Sequence, residues 1–86
     1  MTYTYELTFS NKQPAYAAEI TGLSEEFGFR RHFLDPIYEK GNVRDYELEE
    51  GKFYDVKHSR MNHFGVVKDG AFIPITRKEM EDTFKK

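Results

Sequence analysis

Residues 14–34 read PAYAAEITGLSEEFGFRRHFL, and whether this run is helix or strand decides between an α+β fold and a mainly β one. Its alanines suit a helix, but Thr21-Gly22 interrupts them. A helix through 28–34 would also carry Gly28 inside, at a cost of about 1 kcal/mol relative to alanine. As strands, the same residues sort cleanly. Tyr16, Ala18 and Ile20 share one side of the first, and in GFRRHFL Phe29, Arg31 and Phe33 alternate with Arg30, His32 and Leu34. Asp35-Pro36 ends the second, because the residue before a proline is pushed extended. The run is read here as two strands.

The flanking sequence agrees. TYTYELTF (2–9) alternates strictly, with Tyr3, Tyr5, Leu7 and Phe9 on one face, and SNKQP (10–14) is a turn cluster. YELEEGKFYDVKH (46–58) has the form of a hairpin around Gly51. FGVVKDGAFIPI (64–75) is a stronger one, since Asp69-Gly70 suits a two-residue type I′ turn. Its register puts Val66 opposite Ile73 and Phe64 opposite Ile75 on one face. Val67 then faces Phe72 and Gly65 faces Pro74 on the other. Pro74 has no amide hydrogen to give a ladder, so its strand belongs at an edge. Apolar residues on both faces suit a curled or closed sheet. ITRKEMEDTFKK (75–86) carries a capping box, Thr76 with Glu79, and a hydrophobic staple, Ile75 with Met80.

The expectation is therefore mainly β: one small domain over residues 1–86, with five or six strands in a small barrel or strongly bent antiparallel sheet, SH3-like or OB-like. A C-terminal helix over about 77–85 covers one end. Phe9, Phe64, Val66, Ile73, Ile75 and Met80 are expected to form one buried cluster.

Composition narrows the chemistry. Fourteen of 86 residues are aromatic and none is cysteine, so large rings must do the burying without disulfides or thiolate zinc. The start, MTYTYELTF, lacks a basic region followed by an apolar run, and no segment is apolar enough for a membrane helix. A soluble, cytoplasmic protein is expected. The net charge of −2 hides an asymmetry. Residues 39–50 hold five acids against two bases, whereas 52–68 hold four bases and two histidines against one acid. Neighbouring strands of opposite sign pair across a sheet, which is the reading preferred here.

Motifs for catalysis are missing. His58 and His63 flank residues 59–62 and would face each other across a hairpin, but two imidazoles fall short of the three or four ligands a zinc site needs. Ser59, His58 and Asp55 offer triad residue types without a nucleophile elbow. Glu49 and Glu50 sit on a turn, in water. There is no P-loop, dinucleotide fingerprint or HExxH. So small a chain has little volume for a pocket. No enzyme activity, cofactor or metal is expected.

The segments YAAEITGLSEEFGFRRHFL, LEEGKFYDV and DGAFIPITRKEM are similar to small uncharacterised proteins common in phage and prophage genomes. Those proteins often carry Gly-Leu, then Gly-aromatic-x-Arg, then Phe-Leu. The resemblance implies a mobile-element accessory protein and no particular activity.

Two binding readings follow. FGF on a strand invites comparison with the RNP1 element of RNA-recognition domains, but Glu25-Glu26 stand where a basic residue belongs. Sequence-tolerant single-strand binding survives, with Arg30, Arg31, Lys57, His58 and Arg60 as the basic groups and Phe29 or Tyr54 as the stacking ring. The alternative is a protein-binding accessory or inhibitor acting on host or phage machinery. It would use an edge strand or the acidic segment 45–50, with Tyr38 and Tyr46 as aromatic anchors.

Overall fold

In the computed structural model, which describes residues 2–9, 15–58 and 61–85 (for His58 and Met61 without their side chains), the described part of the opening run, residues 15–34, holds two strands rather than a helix. The described elements are β1 (Thr2–Thr8), β2 (Tyr16–Ser24), β3 (Gly28–Phe33), β4 (Tyr38–Lys40), β5 (Val43–Glu49), β6 (Phe53–His58), β7 (Met61–Lys68), β8 (Ala71–Ile75) and α1 (Arg77–Phe84). Residues 10–14, read as a turn, lie outside the described residues. All pairings are antiparallel. A three-stranded sheet runs β1-β5-β4, and a five-stranded sheet runs β3-β2-β6-β7-β8.

Of the expected small barrel or strongly bent antiparallel sheet, the mainly β, antiparallel architecture with a C-terminal helix is seen, and among the described residues the strands make two open sheets and no closed barrel. The central strands of the larger sheet instead bury each face against a different layer. On one face Ala17, Tyr54, Val56 and Val67 meet Leu7, Tyr46 and Leu48 of the smaller sheet. On the other, Ile20 and Phe29 meet Met80 of α1, with Leu23, Phe53, Phe64, Ile75 and Phe84 around them. The expected single cluster is thus two. Phe64, Ile75 and Met80 do share the helix side, but Ile73 is exposed, and Phe9 lies beyond β1 with its ring under the Arg44 guanidinium at 4.3 Å. A shift in the β2–β3 register between Ile20 and Gly22 lets both Ile20 and Leu23 pack toward the helix, although they are three residues apart.

The hairpin read at 46–58 is an arch. β5 belongs to the small sheet and β6 to the large one, and residues 50–52 carry the chain between layers. Tyr46 and Leu48 then face Tyr54 and Val56 across the core rather than beside them. For the same reason the acidic strand does not pair with the basic ones. It pairs with β1, where Glu6 stands opposite Asp45. Glu50 has a structural role at this crossing. Its carboxylate accepts the amides of Asp69 at 2.7 Å and Gly70 at 3.1 Å, and these bonds hold its pKa below the ordinary 4.5.

The β7–β8 hairpin has the expected register, with Asp69 and Gly70 both at positive φ, and β8 is an edge. Thr76 and Glu79 make the capping box from both sides. β4 was not anticipated. Its signal is Gly41-Asn42 between Lys40 and Val43, a two-residue hairpin loop with Gly41 at φ +60°.

Gly65 is where sheet contact leaves no room for a side chain. A Cβ there would meet the Phe72 ring at 2.4 Å and the Ile73 carbonyl oxygen at 2.8 Å. Phe72 cannot retreat freely, because its ring packs edge-on against Tyr5 of the other sheet at 5.3 Å between centroids. Gly65→Ala is expected to destabilise the protein by about 1–3 kcal/mol through overpacking. Urea denaturation checks this; an unchanged midpoint would mean that Phe72 does not lie over Gly65.

Candidate interaction surface

On its helix side, the larger sheet is only partly covered. Beyond the reach of α1, the same face carries Tyr16 and Ala18 of β2, Arg31 and Phe33 of β3, Asp55 and Lys57 of β6, and Asn62 of β7. Asp55 is 0% exposed, a carboxylate that folding can tolerate only with partners. It has three. Arg31 Nε donates to Oδ2 at 2.7 Å, the Tyr16 hydroxyl donates to Oδ2 at 3.2 Å, and Asn62 Nδ2 donates to Oδ1 at 3.2 Å. Asn62 Nδ2 also donates to the Tyr16 oxygen at 3.2 Å. Burial, and then the charge of Asp55, raises the Tyr16 pKa, so its hydroxyl stays protonated and remains a donor. The network ties four strands together. Both carboxylate oxygens are engaged, so its role is to hold the sheet.

The two edges of the molecule differ. On one flank β1 and β8 approach each other, the Tyr5 and Phe72 rings close the gap, and Pro74 blunts β8. On the other flank lie β3 and β4. Leu34 still bonds to β2 through the Ala17 carbonyl oxygen, and Ile37 already bonds to β5 through that of Asp45, both amides donating. Three residue steps between them span about 10 Å, the usual separation of packed sheets. The open edges of the two sheets therefore stack on one side, joined by residues 33–38. That run exposes Phe33 (59%), Ile37 (57%) and Tyr38 (52%). The Phe33 ring also packs edge-on against Tyr16, centroids 5.1 Å apart.

The residues singled out from sequence separate. Phe29 is buried in the helix-side cluster, with the Arg77 guanidinium 5.7 Å above its ring, so it offers no stacking face. Tyr54 is buried as well, its hydroxyl accepting the Glu49 amide at 2.8 Å. Arg31 spends its charge on Asp55. Arg30 is exposed but lies on the opposite face of β3, and Lys57 stays on the face of Arg31. Arg60, Ser59 and the side chain of His58 lie outside the described residues. Of the two tyrosine anchors, Tyr38 is exposed and Tyr46 is core.

His58 pairs with Met61 and His63 with Val56, so the two histidines are not opposite each other in the ladder. Among the described residues no group of three His, Cys, Asp or Glu could hold a metal, and no helix is long and apolar enough to cross a membrane. An open groove of about 600 Å³ runs between the β2–β3 tip at Leu23 and Gly28 and the helix end at Phe84 and Lys85. It is larger than so short a chain was expected to leave. Sequence reasoning missed Phe33 as the accessible ring of β3, although the parity that groups it with Phe29 was visible.

No family model, curated protein or solved structure matches this chain.

The Asp55 network makes an asymmetric prediction. Arg31 is 28% exposed and can turn to water, whereas Asp55 cannot. Arg31→Ala, which strands the carboxylate, should cost about 3 kcal/mol. Asp55→Asn, which removes the buried charge and keeps the shape, should cost about 1–2 kcal/mol. The double variant should lose less than the sum, because one partner no longer strands the other. Chemical denaturation of the three variants measures this; equal single costs with strict additivity would mean that the pair is solvated.

Proposed function

We propose that this chain is a non-enzymatic protein-binding module that docks through the flank formed by β3, residues 33–38 and β4. One observation carries the reading: three of the five large apolar residues that the described surface exposes come from this single six-residue run. They sit where two sheets present edges that no other strand of the described residues pairs with, while the opposite flank is closed by Tyr5, Phe72 and Pro74. Exposed aromatic residues grouped in this way mark interaction surfaces, and Tyr38 is the rigid anchor expected at the centre of one. An accessory of a mobile element acting on another protein of the host or the element is the setting proposed for it. A cysteine-free chain supports a cytoplasmic setting.

A second reading, binding of single-stranded nucleic acid, is favoured by the placement of Phe33, Tyr16 and Lys57 on one face. In that reading Phe33, not Phe29, is the stacking ring.

Photo-crosslinking in the producing cell separates the two. With a benzophenone side chain in place of Phe33 or Tyr38, both positions should yield adducts with the same protein, and the exposed Lys78 on α1 should yield none. Absence of adducts, together with salt-sensitive binding of a single-stranded oligonucleotide that Phe33→Ala abolishes, would contradict protein binding and favour the second reading.

A further inference from the structure

We infer that an acidic extended peptide segment of the partner adds to β3 as a sixth strand of the larger sheet; this rests on the protein-binding reading above. β3 has β2 on one side and, among the described residues, no strand on the other. The Leu34 amide points toward β2, where it bonds to the Ala17 carbonyl oxygen at 2.9 Å. Backbone direction alternates along an antiparallel strand, so His32 also points inward, while the N–H and C=O groups of Arg31 and Phe33 point outward. These are the groups an added strand would bond.

The side chains specify the occupant. Residues 28–33, GFRRHF, hold two arginines and a histidine and no acid. Arg31 is paired internally with Asp55, but Arg30 and His32 are exposed and have no ion-pair partner among the described residues. They lie on one face of β3; Arg31 and Phe33 lie on the other. A second copy of β3 is a poor occupant, because a two-fold antiparallel pairing centred on the outward-pointing Arg31 sets the two Arg31 side chains opposite each other and Arg30 opposite His32, and like charges across a ladder repel. The fitting segment carries carboxylates at alternate positions facing Arg30 and His32. Its intervening residues are apolar and β-branched and face Phe33. Main-chain bonds would then supply affinity, and the alternating side chains would supply specificity.

The probe is a short capped peptide alternating Glu and Val, compared with its Lys-Val counterpart, on the full ¹⁵N-labelled chain. The readout is amide hydrogen exchange. With Glu-Val at about ten times its Kd, exchange at the Arg31 and Phe33 amides should slow about tenfold, because exchange of these outward amides proceeds only from the unbound form. The Lys-Val peptide should leave both rates unchanged, and Arg30→Glu should reverse the preference. Outward amides that exchange at the free rate in saturating Glu-Val, or equal protection by both peptides, would overturn the proposal. If crosslinks form at Tyr38 while those amides stay unprotected, strand addition fails and the flank reading stands. If neither is seen, both fail.

Discussion

The structure depends on burying both faces of β2, β6 and β7. Their alternating residues are apolar in both phases: Ala17, Tyr54, Val56 and Val67 in one, Ile20, Phe53 and Phe64 in the other. A sheet of this kind cannot leave either side to water, and in so short a chain it does not close on itself. It is covered by a small sheet on one face and a two-turn helix on the other. The helix is too short to cover its whole face. Where its cover ends, the sheet turns polar, and Asp55 is sealed there by Arg31, Tyr16 and Asn62 rather than by apolar packing.

The same constraint sets the edges. Because β5 pairs with β1 and the chain crosses to the other layer only at residues 50–52, the small sheet ends in β4 and the large one in β3, linked by residues 34–37. One flank is then closed by rings and a proline and the other is left open. The open flank carries exposed Phe33, Ile37 and Tyr38 beside a basic strand. The proposed function rests on that asymmetry.

What was legible in the sequence was local. The Asp69-Gly70 turn dictated a register that holds pair for pair from Phe64 to Ile75, and Thr76 with Glu79 marked the helix start. What was not legible depends on distant partners. An arch and a hairpin have the same alternation around Gly51; the choice between them lies in whether β5 finds β1 or β6. Phe29 and Phe33 share a face by parity, but only the position of α1 decides that the first is core and the second exposed. β4 is three residues long, too short to show a pattern without its Gly-Asn turn. Tyr46 and Tyr38 likewise differ in burial through pairing, not through composition.

The most direct test of this account is nuclear Overhauser contact in solution across the β5–β6 connection. The layered arrangement predicts side-chain contacts of Leu48 with Val56 across the core, and of Met80 with Ile20 and Phe29 on the far face. It also predicts no Hα–Hα ladder between β5 and β6. A continuous Hα–Hα ladder joining residues 46–49 to 53–56, or a Met80 methyl without contacts to Ile20 and Phe29, would contradict it.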